Sequence, residues 1–152
     1  MAVIESEILV ACEPDKLFEF LTQPSNFEKL TDPQSGLTLV EAPPRLSKGA
    51  KLKFLVEAFG IAQEIEHEIT EFDPPRSFTE MQVRGPFQSW VHQHRVEPDG
   101  NGGARLIERV DFKPPGGLLG MLLNEQAVRK MIETAMAFRR ERLAELAAAG
   151  EC

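Results

Sequence analysis

The chain has 152 residues, of which 42% are hydrophobic and 27% charged, enough for one domain with a sizeable buried core. Its 17 basic and 24 acidic side chains leave a formal charge of −7, and no basic block offsets it, which argues against nucleic acid and anionic membranes as partners. The longest apolar run, Leu118–Leu123, falls far short of the roughly 20 residues that span a bilayer, so no membrane insertion is expected.

In chain order, Val3 to Ala11 alternates weakly and reads as a first strand with Ile4 and Ile8 on one face. It carries Glu5 and Glu7 and lacks the basic-then-apolar pattern of a secretory leader. Glu13-Pro14-Asp15 starts a short helix, with proline at the first helical position and acids near the positive end. Leu17, Phe18 and Leu21 form its buried side. Gln23-Pro24-Ser25-Asn26 breaks this helix and begins a second, with Phe27 and Leu30 inward, and Asp32 to Gly36 is a turn.

Six strands are expected next. Leu37 to Ala42 is short. Ala50 to Phe59 sets Leu52, Phe54, Val56 and Ala58 against Lys51, Lys53 and Glu57, and Ile61 to Phe72 sets Ile61, Ile65 and Ile69 against Glu64, Glu66 and Glu68. Such alternation means one dry and one wet face, as in an antiparallel sheet. Ser77 to Arg84 is a strand whose facing the sequence leaves open, so Glu80 and Gln82 have no fixed register. Phe87 to Val96 and Ala104 to Phe112 flank Pro98-Asp99-Gly100-Asn101-Gly102-Gly103, the strongest turn signal in the chain. After Pro114-Pro115-Gly116-Gly117, Asn124 to Ala148 reads as one amphipathic helix of about 37 Å, with Val128, Met131, Ile132, Ala135, Phe138 and Leu146 on the apolar side. The expected fold class is α+β: about seven curved antiparallel strands wrapped around the long C-terminal helix, with two short helices after the first strand, over a single domain 1–152.

That order of elements resembles the START-type, pollen-allergen-like helix-grip superfamily (SRPBCC), near its bacterial polyketide cyclase/dehydrase-like branch. The local resemblance rests on Gly85 to Arg95, Gly103 to Phe112 and Pro115-Gly116-Gly117. Ala104 and Glu108 stand where relatives usually place threonine and aspartate, and Phe112 replaces a common tyrosine. The resemblance implies an internal pocket for an apolar small molecule, a lipid, polyketide or quinone, and includes both enzymes and carriers.

Trp90, His92, His94 and Val96 share one strand face, as do Leu106, Glu108, Val110 and Phe112 on the next strand. If paired residue numbers sum to 200, His92 lies opposite Glu108; a shift of two puts His94 there. Either arrangement brings a carboxylate and an imidazole together on the inner face, where they can orient a ligand, act as acid and base, or satisfy each other. His92, His94 and Glu108 are therefore the candidate catalytic residues, and Trp90 is read first as core. Phe54, Val56, His67, Trp90, His92, His94, Glu108, Val110, Met131 and Ala135 are the expected ligand-binding residues.

His67 also faces inward, but a strand is expected between it and the histidine pair. At ~4.8 Å per strand the gap is ~10 Å, so neither a metal nor any other cofactor is expected. Arg139 and Arg142 fall oddly with Val128 and Ala135: either they reach towards the cavity to meet an anionic ligand group or an inward acid, or, the favoured reading, they overhang the sheet or snorkel over its edge. Cys12 and Cys152 sit at opposite ends of the chain without a Cys-x-x-Cys, and read as free thiols in a reducing cytoplasm. The expected function is binding of a small hydrophobic molecule between sheet and helix. The alternatives are a cyclase, aromatase or dehydratase on a polyketide-like substrate, or a lipid or quinone carrier for a protein partner; a homodimer stays open.

Overall fold

The structure is a computed structural model that describes residues 1–58 and 60–152. The expected strand end at Phe59, and the facing of Ala58, lie outside the described residues.

Seven strands form one antiparallel sheet: β1 (Ala2–Val10), β2 (Leu37–Glu41), β3 (Lys51–Ala58), β4 (Ile61–Asp73), β5 (Ser77–Arg84), β6 (Ser89–Pro98) and β7 (Ala104–Lys113). Their spatial order is β1-β7-β6-β5-β4-β3-β2, so consecutive strands from β2 to β7 are neighbours and β1 closes against the last. Helices α1 (Pro14–Leu21) and α2 (Phe27–Leu30) bridge β1 to β2, and α3 (Gly117–Leu122) precedes α4 (Glu125–Ala148). This is the helix-grip fold, with α4 held against the inner face of a curved sheet. Irregularities in the β4–β5 pairing, at Glu66/His67 and Ile69/Glu71, flank the stretch that carries His67; such bulges increase local bend and twist.

Even-numbered residues of β1, β5, β6 and β7 turn inward, as the strand period of two requires. Ile4, Ile8, Phe78, Val96, Leu106, Val110 and Phe112 are all buried. Ile65 and Ile69 are buried on β4, but Ile61 is exposed because it lies at the hairpin end of the strand, beyond the core. On α1, Phe20 joins Leu17 and Phe18 in the interior, while Leu21 is half-buried.

The buried face of α4 is Val128, Ile132, Leu143 and Leu146, with Arg139 half-buried between the two pairs. The expected stripe was therefore rotated. Met131 is 48% exposed and Ala135 is also exposed, so both face away from the sheet and line no interior surface. The helix starts at Asn124, whose side-chain oxygen accepts the Ala127 N–H at 2.9 Å. Asn124→Ala should cost about 1 kcal/mol through loss of that cap, read as a lower urea midpoint with an unchanged m-value.

Cys12 and Cys152 are not free. They are paired as a disulfide, their Cα atoms 5.9 Å apart. Sequence separation hid their proximity: Cys12 follows β1 in the core, and the chain turns back after α4 through Gly150, at φ 72°.

Candidate functional site

The β6–β7 hairpin sets the site. Asp99 accepts the N–H groups of Asn101 and Gly103 at 2.6 and 3.0 Å, which fixes the turn. Pro98 pairs with Ala104, so facing residue numbers sum to 202: His94 lies opposite Glu108 and His92 opposite Val110. The second of the two expected registers is the one formed.

On the other side of β6, Glu80 faces His92 and Phe78 faces His94. This resolves the facing of β5: Phe78 and Glu80 point inward, and Gln82 is tied to the Phe87 backbone through Nε2–H to the carbonyl at 2.8 Å. Glu80 is the central residue that the sequence left unplaced. Its Oε1 accepts from His94 Nε2 at 3.0 Å, and its Oε2 accepts from His67 Nδ1 at 3.0 Å. His92 donates diagonally from Nε2 to Glu108 Oε2 at 2.9 Å, while its Nδ1 lies 3.6 Å from Glu80 Oε1. Phe78, His94 and His92 stack in succession, with centroid spacings of 4.3 and 3.8 Å.

Arg139 completes the cluster from α4. Its guanidinium donates to Glu108 Oε1 at 2.5 Å, so it does not overhang the sheet: it crosses the interior to an inward acid. Its Nε is buried and makes no hydrogen bond among the described residues. Arg142, by contrast, reaches the Lys29 carbonyl and the Glu145 carboxylate near the surface.

Burial penalises charge on both carboxylates, and their partners overcome it. The hydrogen bonds from His67 and His94 hold Glu80 well below the ordinary carboxylate range. The Arg139 charge, aided by His92, does the same for Glu108. Burial and the adjacent His92 push the His94 imidazole down to about 4, against the pull of its hydrogen bond to Glu80. His94 is therefore neutral at pH 7, and its Nε2 carries the proton given to Glu80. Besides its three imidazoles the cluster holds two carboxylates and one guanidinium.

A cavity of about 80 Å³ opens beside this cluster, between the α1–α2 segment and the sheet. Its lining is mostly apolar, with Phe27, Leu39, Leu52 and Phe54 among its residues, and its polar members are Gln23, Asn26, Glu80, His94 and Arg139. Of the expected ligand-binding residues, Phe54 and His94 line it. His67, His92 and Glu108 stand behind as hydrogen-bonding support, and Val56 is half-buried against the larger core cluster. Trp90 and Val110 pack with Phe112, Val128 and Ile132 in a separate apolar cluster, away from the cavity. The cavity sits nearer the two short helices than expected because Met131 and Ala135 turn outward and the interior beneath the first half of α4 is filled.

Residues 1–149 match the family described as polyketide cyclase / dehydrase and lipid transport. The chain belongs to that family. The polyketide cyclase/dehydrase and lipid transport fold recurs in solved structures of low sequence identity. The Zhui aromatase/cyclase of Streptomyces sp. R1128 is 15% identical at TM-score 0.75, over 97% of this chain and 93% of that one. A norcoclaurine synthase point mutant from Thalictrum flavum, in complex with a transition-state analogue, is 15% identical at TM-score 0.72, over 99% and 96%. Ginseng major latex-like protein 151 from Panax ginseng is 17% identical at TM-score 0.63, over 92% and 95%. At these identities the likeness is one of fold. No curated protein matches the chain. Among the described residues no helix is long and apolar enough to cross a membrane.

Proposed function

We propose that this chain, as a single ligand-binding domain, holds a small hydrophobic molecule of lipid, polyketide or quinone type between the sheet, the α1–α2 segment and α4. The observation that carries this reading is a mostly apolar cavity whose polar lining includes Glu80, His94 and Arg139. Glu80 accepts a hydroxyl of the ligand, and the Arg139 guanidinium answers a carbonyl or phenolic oxygen. About 80 Å³ is small beside the roughly 300–1,000 Å³ of typical ligand pockets, so a ligand of that size requires the cavity to widen. The expectation of a reducing cytoplasm leaned on free thiols, and the paired cysteines remove that support.

Native mass spectrometry of protein from its own host tests the reading. Wild type should carry a co-purified lipid or aromatic compound, and Leu39→Trp, which fills the wall, should be isolated without it. Identical empty spectra for both, with no binding of added fatty acid or naphthoquinone, would sink the proposal.

A second reading, a cyclase or dehydratase, is favoured by the family description and by the neutral His94 beside ionised Glu80 at the cavity. These two, rather than Glu108, are the acid–base pair within reach of a bound molecule. His94→Gln with retained affinity and abolished turnover would select this reading over simple binding.

A further inference from the structure

We propose that Glu80, His92 and His94 form a binding site for a divalent first-row transition-metal ion. One ligand atom from each of the three lies within 4.8 Å of the others. Glu80 Oε1 is 3.0 Å from His94 Nε2 and 3.6 Å from His92 Nδ1. Donors on a tetrahedral ion with ~2.0–2.1 Å bonds stand ~3.3 Å apart, so the two carboxylate–imidazole spacings already bracket the required value. The ion takes the place of the proton now shared between Glu80 and His94.

The groups behind these ligands have the arrangement a metal centre needs. A metal-bound histidine usually gives its other ring N–H to a carboxylate, which fixes the ring and strengthens the ligand. His92 does so through Nε2 to Glu108, which Arg139 holds in turn. His67 grips the outer oxygen of Glu80 and orients that carboxylate. Two carboxylates against one guanidinium favour a cation, and two imidazoles with one carboxylate suit zinc, iron(II) or cobalt(II). Because Glu80 and His94 also line the cavity, the open coordination position faces a space that admits water or a ligand oxygen. The sequence argument against a metal concerned His67, two strands from the pair; the carboxylate that replaces it as third ligand comes from the intervening strand β5. This inference is independent of the hydrophobic ligand, whose binding is assayed separately in chelator-treated protein.

The test uses the full chain, stripped with EDTA and dialysed, then titrated with Zn²⁺ by calorimetry and with Co²⁺ by visible absorption. Expected is about one ion per chain, with cobalt d–d bands of a low-symmetry site. Glu80→Gln and His94→Gln should each weaken Zn²⁺ binding by ~100-fold or more, and Glu108→Gln by ~10–100-fold. His94→Cys guards against simple unfolding: it should retain the ion and add a thiolate-to-cobalt charge-transfer band. Absence of stoichiometric binding to wild type would overturn the proposal. So would Zn²⁺ affinity unchanged by Glu80→Gln and His94→Gln, or a cobalt spectrum of His94→Cys without the thiolate band.

Discussion

Arg139→Met should destabilise the protein by about 3–5 kcal/mol, a large part of the ~5–15 kcal/mol typical of a whole domain. Glu108 is 3% exposed, and among the described residues the Arg139 guanidinium is its one cationic partner of fixed charge. The variant leaves a carboxylate in the interior that must either stay charged at high cost or take up a proton. Much of the loss should return when Glu108→Gln is added, because the uncompensated charge is then gone. Arg140→Met, one residue along on the exposed side of α4, should change stability by less than about 0.5 kcal/mol. Urea unfolding at pH 7 measures all three. A cost for Arg139→Met no larger than for Arg140→Met would contradict a buried pair.

Chelator-treated protein should lose about 3 kcal/mol of stability as the pH falls from about 6.5 to about 4. His94 binds its proton at about 4 when folded and near 6.5 when unfolded. Between those values the unfolded chain holds the extra proton, so stability rises with pH across the window and drains away on acidification; the gap is worth about 3 kcal/mol. The groups facing His94 are His67 on β4, Glu80 on β5, His92 on β6, Glu108 on β7 and Arg139 on α4. The two carboxylates act in the same direction further down. Held below the ordinary range when folded, they stabilise fully above about pH 4.5 and lose that contribution as the pH drops through their folded values. Urea midpoints at pH 7, 5.5 and 4.5 read the profile, and His94→Gln should flatten its upper part. Equal midpoints at pH 7 and pH 5 for wild type would contradict a buried neutral His94.

The sheet was legible because β3 and β4 alternate cleanly, and because Pro, Gly, Asn and Asp cluster at the turns. The meeting of histidine and Glu108 was legible because either hairpin register brings them together. Glu80 was not: Ser77–Arg84 places Phe78 on one face and Met81 and Val83 on the other, so hydrophobicity gives no vote on which side is inner. Arg139 was misplaced for a related reason. Alanine and methionine are good helix formers and often occupy exposed helical positions, so Met131 and Ala135 drew the apparent stripe away from Leu143. An arginine at the centre of the true stripe made the line look broken. The cavity's position depends on which side chains fill the space beneath α4, and periodicity is silent on volume.

The polar cluster divides the interior into two greasy compartments, with Leu143 and Leu146 in the larger and Val128 and Ile132 in the smaller. A slide of α4 by one turn, ~5.4 Å, would bring Ala147 or Arg139 to the place of Leu143 and weaken the larger compartment. It would also set Ala135 or Leu143 against Glu108 and strand that carboxylate without its cation. The lone arginine thus works as a detent: greasy contacts draw the rod onto the sheet, and one ion pair selects the notch at which it stops.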